Sequence, residues 1–134
     1  MLPNYLSTFP HFVTLFGMGI LLLGVFWSLH TFLTPHDELT LIRQGNVSAA
    51  VLLVCVLLGF ALPVASALSH SVSLMSLAQW GMVAMVIQLL TFAVSRLLFS
   101  SLVEDISKDR ISVALFAGGL ALTVGILNAA AMAL

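Results

Sequence analysis

Four stretches without a single charged residue dominate this sequence, roughly Phe12 to Leu33, Val47 to Leu68, Leu74 to Ser95 and Ile111 to Leu134. Each supplies about the 20 apolar residues that an α-helix needs to cross the hydrocarbon of a bilayer. Lipid offers the backbone no hydrogen bonds, so a spanning chain must be helical or form a closed barrel. Barrel strands alternate polar and apolar residues over about 10 positions, and that alternation is absent. The sequence therefore predicts an all-α integral membrane protein, one domain over residues 1–134 with four transmembrane helices. Composition agrees: 61% of residues are hydrophobic and 7% charged, against about 25% charged in a soluble domain.

The segment before the first span lacks a basic region and a small-residue cleavage pattern, so it reads as retained and not as a signal peptide. The lone Cys55 has no partner for an internal disulfide. A net charge of -1 leaves no basic footprint, and no nucleic-acid partner is expected.

All the charged side chains, from Asp37 to Arg110, fall in or beside the loops joining span one to two and span three to four. Arg43, Arg96, Lys108 and Arg110 then mark the cytoplasmic side by the positive-inside rule, with both termini periplasmic. The first loop offers Thr34 as a helix N-cap with Pro35 at the first helical position, Leu39 and Ile42 on one face, and Gly45-Asn46 as a stop. The second offers Ser101 and Glu104 as a capping box, with Leu102 and Ile106 on one face. Each loop is expected to hold a short amphipathic helix at the membrane surface. Span, short helix, span occurs twice, which predicts two parallel-repeat hairpins, about 12–68 and 74–134, related by an axis along the membrane normal.

Small and polar residues recur at helical spacing. In the fourth span Ala114, Gly118, Ala121, Gly125, Asn128 and Met132 form one line; in the third, Gly81, Ala84, Gln88, Thr91 and Ser95; in the second, Ser48, Cys55, Gly59, Pro63 and Ser66. Pro63 should kink its helix and free the carbonyl near Gly59. Membrane helices associate through close packing and interhelical hydrogen bonds, each worth about 0.6 kcal/mol. Helix packing is therefore the simple reading, with Gln88 as a candidate partner for Asn128. The functional alternative is a polar path lined by Gly59, Pro63, Gln88, Thr91, Ser95 and Asn128. No acidic or basic side chain sits at mid-membrane, which speaks against a carboxylate proton relay.

His30, His36, Asp37 and Glu38 cluster near the end of the first span, yet no established metal-ligand spacing is present. His11 and His70 fall on the opposite side and could titrate near neutral pH. No serine stands in a nucleophile elbow, so a non-enzymatic protein without metal or cofactor is expected. Tyr5, Trp27 and Trp80 near span ends read as interfacial anchors.

The strings "TPHDELTLIRQGNVSAA", "GFALPVASA", "SVSL", "WGMVAMVIQLL" and "GILNAAAM" resemble, in order and over nearly the whole chain, the YjfL-like bacterial inner-membrane family (domain of unknown function, DUF350/UPF0719 type). On that resemblance Glu38, Asn46, Gly59, Pro63, Gln88, Gly125 and Asn128 occupy motif positions with no assigned role. At the start of the fourth span the family repeats a Gly/Asn-then-Ala-Ala signature, where this chain carries Asp109, Arg110, Ile111 and Ser112. The resemblance implies an inner-membrane location and, by association with membrane-stress proteins, a role in envelope homeostasis.

Two functions follow as expectations. One is a homo-oligomer, joined through small-residue faces that include Gly17 and Gly24, acting in the bilayer as a small polar conduit. The other is an adaptor that docks a cytoplasmic membrane-stress protein through Glu38, Arg43, Glu104 and Lys108.

Overall fold

The computed structural model describes residues 4–34, 37–70 and 73–132, with side chains from residue 8 onward. Six helices follow one another among them: α1 (Asn4–Leu33), α2 (Glu38–Arg43), α3 (Val47–His70), α4 (Leu74–Leu98), α5 (Leu102–Ser107) and α6 (Ile111–Met132). Of these, α1, α3, α4 and α6 are long and apolar enough to cross a membrane. The first begins earlier than the apolar run suggests, because the helix runs through Pro10. The third continues past Ser95, which puts Arg96 in its last turn.

At the centre of the bundle α3 touches α1, α4 and α6, and its most extensive contact is with α6. Small residues make that contact possible. A Cβ on Gly59 would stand 2.5 Å from the Ala121 carbonyl oxygen, a Cβ on Gly125 would run into the Gly59 backbone, and one on Gly118 would meet Cys55. Dispersion between closely approaching backbones holds such helices together where lipid removes the hydrophobic drive. By contrast α1 is peripheral. Among its described side chains only Leu22, Phe26 and His30 are buried, four residues apart, so a single narrow stripe docks it on α3 and α4.

Both loops meet at one end of the bundle, and they grip each other. Asn46 Nδ2 donates to the carbonyls of Ile106 (2.8 Å) and Ser107 (3.4 Å) at the end of α5, while its Oδ1 accepts the Ala49 N–H at the start of α3. Asp109 Oδ1 accepts the Ser48 N–H at 2.8 Å. Two acceptors, one from each loop, thus satisfy free donors of the α3 N-terminus.

The short helices end alike. In the first, Gly45 at φ 89° donates to Ile42 and Asn46 donates to Leu41. In the second, Asp109 at φ 58° donates to Ile106 and Arg110 to Asp105. This is the Schellman pattern, with Asp109 in the left-handed position where glycine is usual; aspartate tolerates that region better than most side chains.

Their starts differ from the sequence expectation. Asp37, not Thr34, caps α2 by accepting the Thr40 N–H; the Thr34 hydroxyl instead donates to the His30 carbonyl and prolongs α1. Pro35 lies outside the described residues. The capping box of α5 does not form either. Ser101 has non-extended backbone and makes no cap hydrogen bond, because its hydroxyl donates to Asp105 Oδ2 at 3.0 Å, and Glu104 turns to Lys108 at 3.1 Å. Leu102 and Ile106 are both buried, but the buried residue of α2 is Glu38, with Leu39 exposed.

Candidate functional site: a buried polar column

Pro63 has no N–H to give to the carbonyl four residues back. That carbonyl, on Gly59, is taken up by another helix: Gln88 Nε2 donates to Gly59 O at 2.8 Å and to Ala121 O at 3.0 Å. One amide from α4 therefore bridges α3 and α6, at the level where the two backbones come closest. Gln88 is 1% exposed. Its Oε1 has no hydrogen-bond partner among the described residues.

Toward the loop end, Thr91 and Ser95 are buried below Gln88, and each hydroxyl bonds a carbonyl of its own helix, Ile87 at 2.8 Å and Thr91 at 3.2 Å. Hydroxyls bonded this way do not require a wet lumen. Toward the other end, Ser66 Oγ reaches across to Ala129 O at 2.8 Å. Asn128 is buried, yet its Nδ2 finds no partner among the described residues. The expected pairing of Asn128 with Gln88 does not occur, because Gln88 bonds at the level of Ala121 and Asn128 lies seven residues further on, about 10 Å along the axis.

A second polar contact joins two residues that the sequence groups only as metal candidates. His30 and Glu38 are both buried, and His30 Nε2 lies 3.3 Å from Glu38 Oε1. Phe26 stacks on the imidazole at 6.1 Å between centroids and Phe92 meets it edge-on at 4.7 Å. Beyond that grouping, the Leu22, Phe26, His30 spacing puts the histidine on the docking stripe. Of the other residues grouped with His30 as metal candidates, Asp37 faces Thr40 and His36 lies outside the described residues. Among the described residues no three His, Cys, Asp or Glu side chains gather.

The candidate docking residues separate. Arg43, Glu104 and Lys108 are exposed at the loop end, whereas Glu38 points into the bundle and offers no surface. Two loop carboxylates lie below the usual range: Asp37 through the Thr40 hydroxyl and N–H, and Asp109 through the Ser48 N–H.

Comparison with known sequences places this arrangement. The profile of the family described as Domain of Unknown Function (DUF350) matches residues 4–132. The chain belongs to the DUF350 family. Within it, the chain is 37% identical over 129 residues to the "UPF0719 inner membrane protein YjfL" of Escherichia coli strain K12, covering 96% of this chain and 98% of that protein. The protein of the same name from Escherichia coli O157:H7 matches equally. No solved structure matches. A DUF350 relative named as an inner membrane protein and four apolar helices fit a multi-pass inner-membrane protein.

Proposed function

We propose that this DUF350 chain is a non-enzymatic inner-membrane protein that self-associates through the outer face of α1 and serves envelope homeostasis, with any polar conduit running between copies. The supporting observation is a contrast between glycines. Gly59, Gly81, Gly118 and Gly125 each receive a close neighbour inside the chain, whereas Gly17 and Gly24 on α1 have nothing within 4 Å of a Cβ position. Small residues on a lipid-facing helix permit a second helix to approach closely. A conduit through one chain is the weaker form of the idea, since Gln88 closes the bundle by bonding two carbonyls at once.

The bundle is further read as two parallel hairpin repeats, α1 to α3 and α4 to α6, with α2 and α5 at the cytoplasmic membrane surface and both termini periplasmic. The matching ends of α2 and α5 and the gathering of the charges at one end support that reading. Partner docking at this end is the second function. It draws on the exposure of Arg43, Glu104 and Lys108.

The test is the mass of the particle in lipid nanodiscs. Wild-type chain should be oligomeric, and Gly17→Leu/Gly24→Leu should release monomers without loss of helix content. A monomeric wild type removes the proposal. Charge reversal at Arg43 and Lys108 separates the two functions, because only an adaptor loses a cytoplasmic partner by it.

A further inference from the structure

Arg96 stands in the last turn of α4, and its charge is left over at the loop end. Lys108 pairs with Glu104 at 3.1 Å and Arg110 with Asp105 at 3.6 Å, and the field of Arg43 reaches Asp37. Among the described residues Arg96 forms neither an ion pair nor a hydrogen bond. A guanidinium at the end of a spanning helix extends toward the headgroup layer while its stem lies along apolar surface. Leu97 and Leu98 beside it are exposed, as lipid-facing side chains of such a helix should be.

The Arg96 side chain borders a pocket of about 370 Å³ at the end of α4, lined also by Ser100, Ser101, Val103, Glu104 and Ser107. Its polar groups divide by what they can offer a ligand. Ser100 has no hydrogen-bond partner among the described residues, so its hydroxyl is free to donate. Ser101 and Ser107 spend their protons on Asp105 Oδ2 at 3.0 Å and the Glu104 carbonyl at 2.7 Å, which leaves each oxygen as an acceptor. Glu104 is balanced by Lys108 and Asp105 by Arg110, so the net charge at the pocket is that of Arg96. Next to Ser100, Phe99 meets Phe116 of α6 edge-on at 5.4 Å, and Phe116 is exposed. The polar pocket therefore has an apolar border.

We propose that this pocket binds the headgroup of an anionic, hydroxyl-bearing phospholipid of the phosphatidylglycerol class. The phosphate takes the planar fork of Arg96 and the hydroxyl of Ser100 as donors, and the headgroup hydroxyls donate to Ser101 and Ser107. The acyl chains lie along the exposed Leu97, Leu98 and Phe116. Basic pockets at a membrane surface hold headgroups in this way, because the phosphate gains a fixed cation while its chains stay in the bilayer. A free phosphate ion offers the same oxygens but no chains for the apolar border. A phosphatidylcholine headgroup brings a second cation and no hydroxyl donor. The site lies within one chain and is independent of association through α1.

The experiment is native mass spectrometry of the full chain released from detergent micelles that contain equal amounts of phosphatidylglycerol and phosphatidylcholine. Wild type should retain one phosphatidylglycerol per chain in preference to phosphatidylcholine, and millimolar inorganic phosphate should not displace it. Arg96→Gln should weaken retention about tenfold, and Ser100→Ala, which keeps every charge, about threefold. Equal retention of the two lipids by wild type overturns the proposal without recourse to any variant. Displacement by inorganic phosphate overturns the lipid as the source of the phosphate group. Weaker retention in Arg96→Gln with none in Ser100→Ala overturns the pocket, since charge at the surface would then suffice.

Discussion

Asp109 accepts the backbone N–H of Ser48 at 2.8 Å, so the loop before the fourth span caps the helix that forms the second. The geometry demands two things of one residue, a left-handed backbone and an acceptor side chain. Asparagine can meet both and valine neither. Asp109→Asn should therefore lower the melting temperature slightly and Asp109→Val by several degrees, as checked by thermal unfolding in detergent.

The same contact has a pH signature. The Ser48 N–H holds the Asp109 carboxyl below the usual carboxylate range. A depressed native value contributes stability that is present above the unfolded-state value and lost as pH falls through the native one. Acidification through the carboxylate range should thus cost wild type more stability than Asp109→Asn, measured as the difference in melting temperature between neutral and acidic buffer.

Replacing Gln88 by leucine removes the bridge from α4 to the carbonyls of Gly59 and Ala121. Hydrogen bonds of this kind in membranes are worth about 0.6 kcal/mol on average and up to about 1.7. Gln88→Leu should fall toward the upper figure, because the Gly59 carbonyl has no helical donor at Pro63 to return to. Unfolding in mixed micelles would measure it.

Asn128 should behave in the opposite way. Its Nδ2 is buried without a partner among the described residues, so Asn128→Leu removes a desolvated donor and not a bond. The change in stability should lie within about 1 kcal/mol of zero, on either side. A loss as large as that of Gln88→Leu in the same assay would show that Asn128 has found a partner.

Glycines in α6 offer an internal control. A Cβ at Gly125 collides with the Gly59 backbone, whereas one at Gly119 meets nothing within 4 Å. Gly125→Ala should destabilise by about 1 to 3 kcal/mol through overpacking, and Gly119→Ala should be neutral or mildly stabilising by helix propensity. Parallel denaturation of the two variants would read the contrast.

The four spans were legible because a bilayer imposes its thickness on any sequence that crosses it, and the runs ending near Leu33 and Leu68 had no second explanation. Gln88, Pro63 and Gly59 were legible as a group, since a proline frees a carbonyl at a known distance along the helix. Their pairing was not, because which amide reaches that carbonyl depends on the relative height of two helices, and Asn128 proved to be two turns away. Cap residues misled for a similar reason: Ser101 and Glu104 had the right spacing, but Asp105 and Lys108 offered them nearer partners. His30 and Glu38 were legible as neighbours in a loop-end cluster but not as a buried pair, because a histidine at the end of an apolar helix gives no sign of which neighbour will cover it. Asp109 could be read as a break in a family signature, yet only the meeting of the two loops shows its task.

Solid-state NMR of the protein in lipid, with Gln88 labelled at Nε2 and the carbonyl carbons of Gly59 and Ala121 labelled in turn, tests the bundle at its centre. The account requires dipolar coupling from Gln88 to both carbonyls and slow transfer of polarisation from water to the amide. Absent coupling together with rapid transfer from water would contradict it, and would make Gln88 the wall of a wet passage.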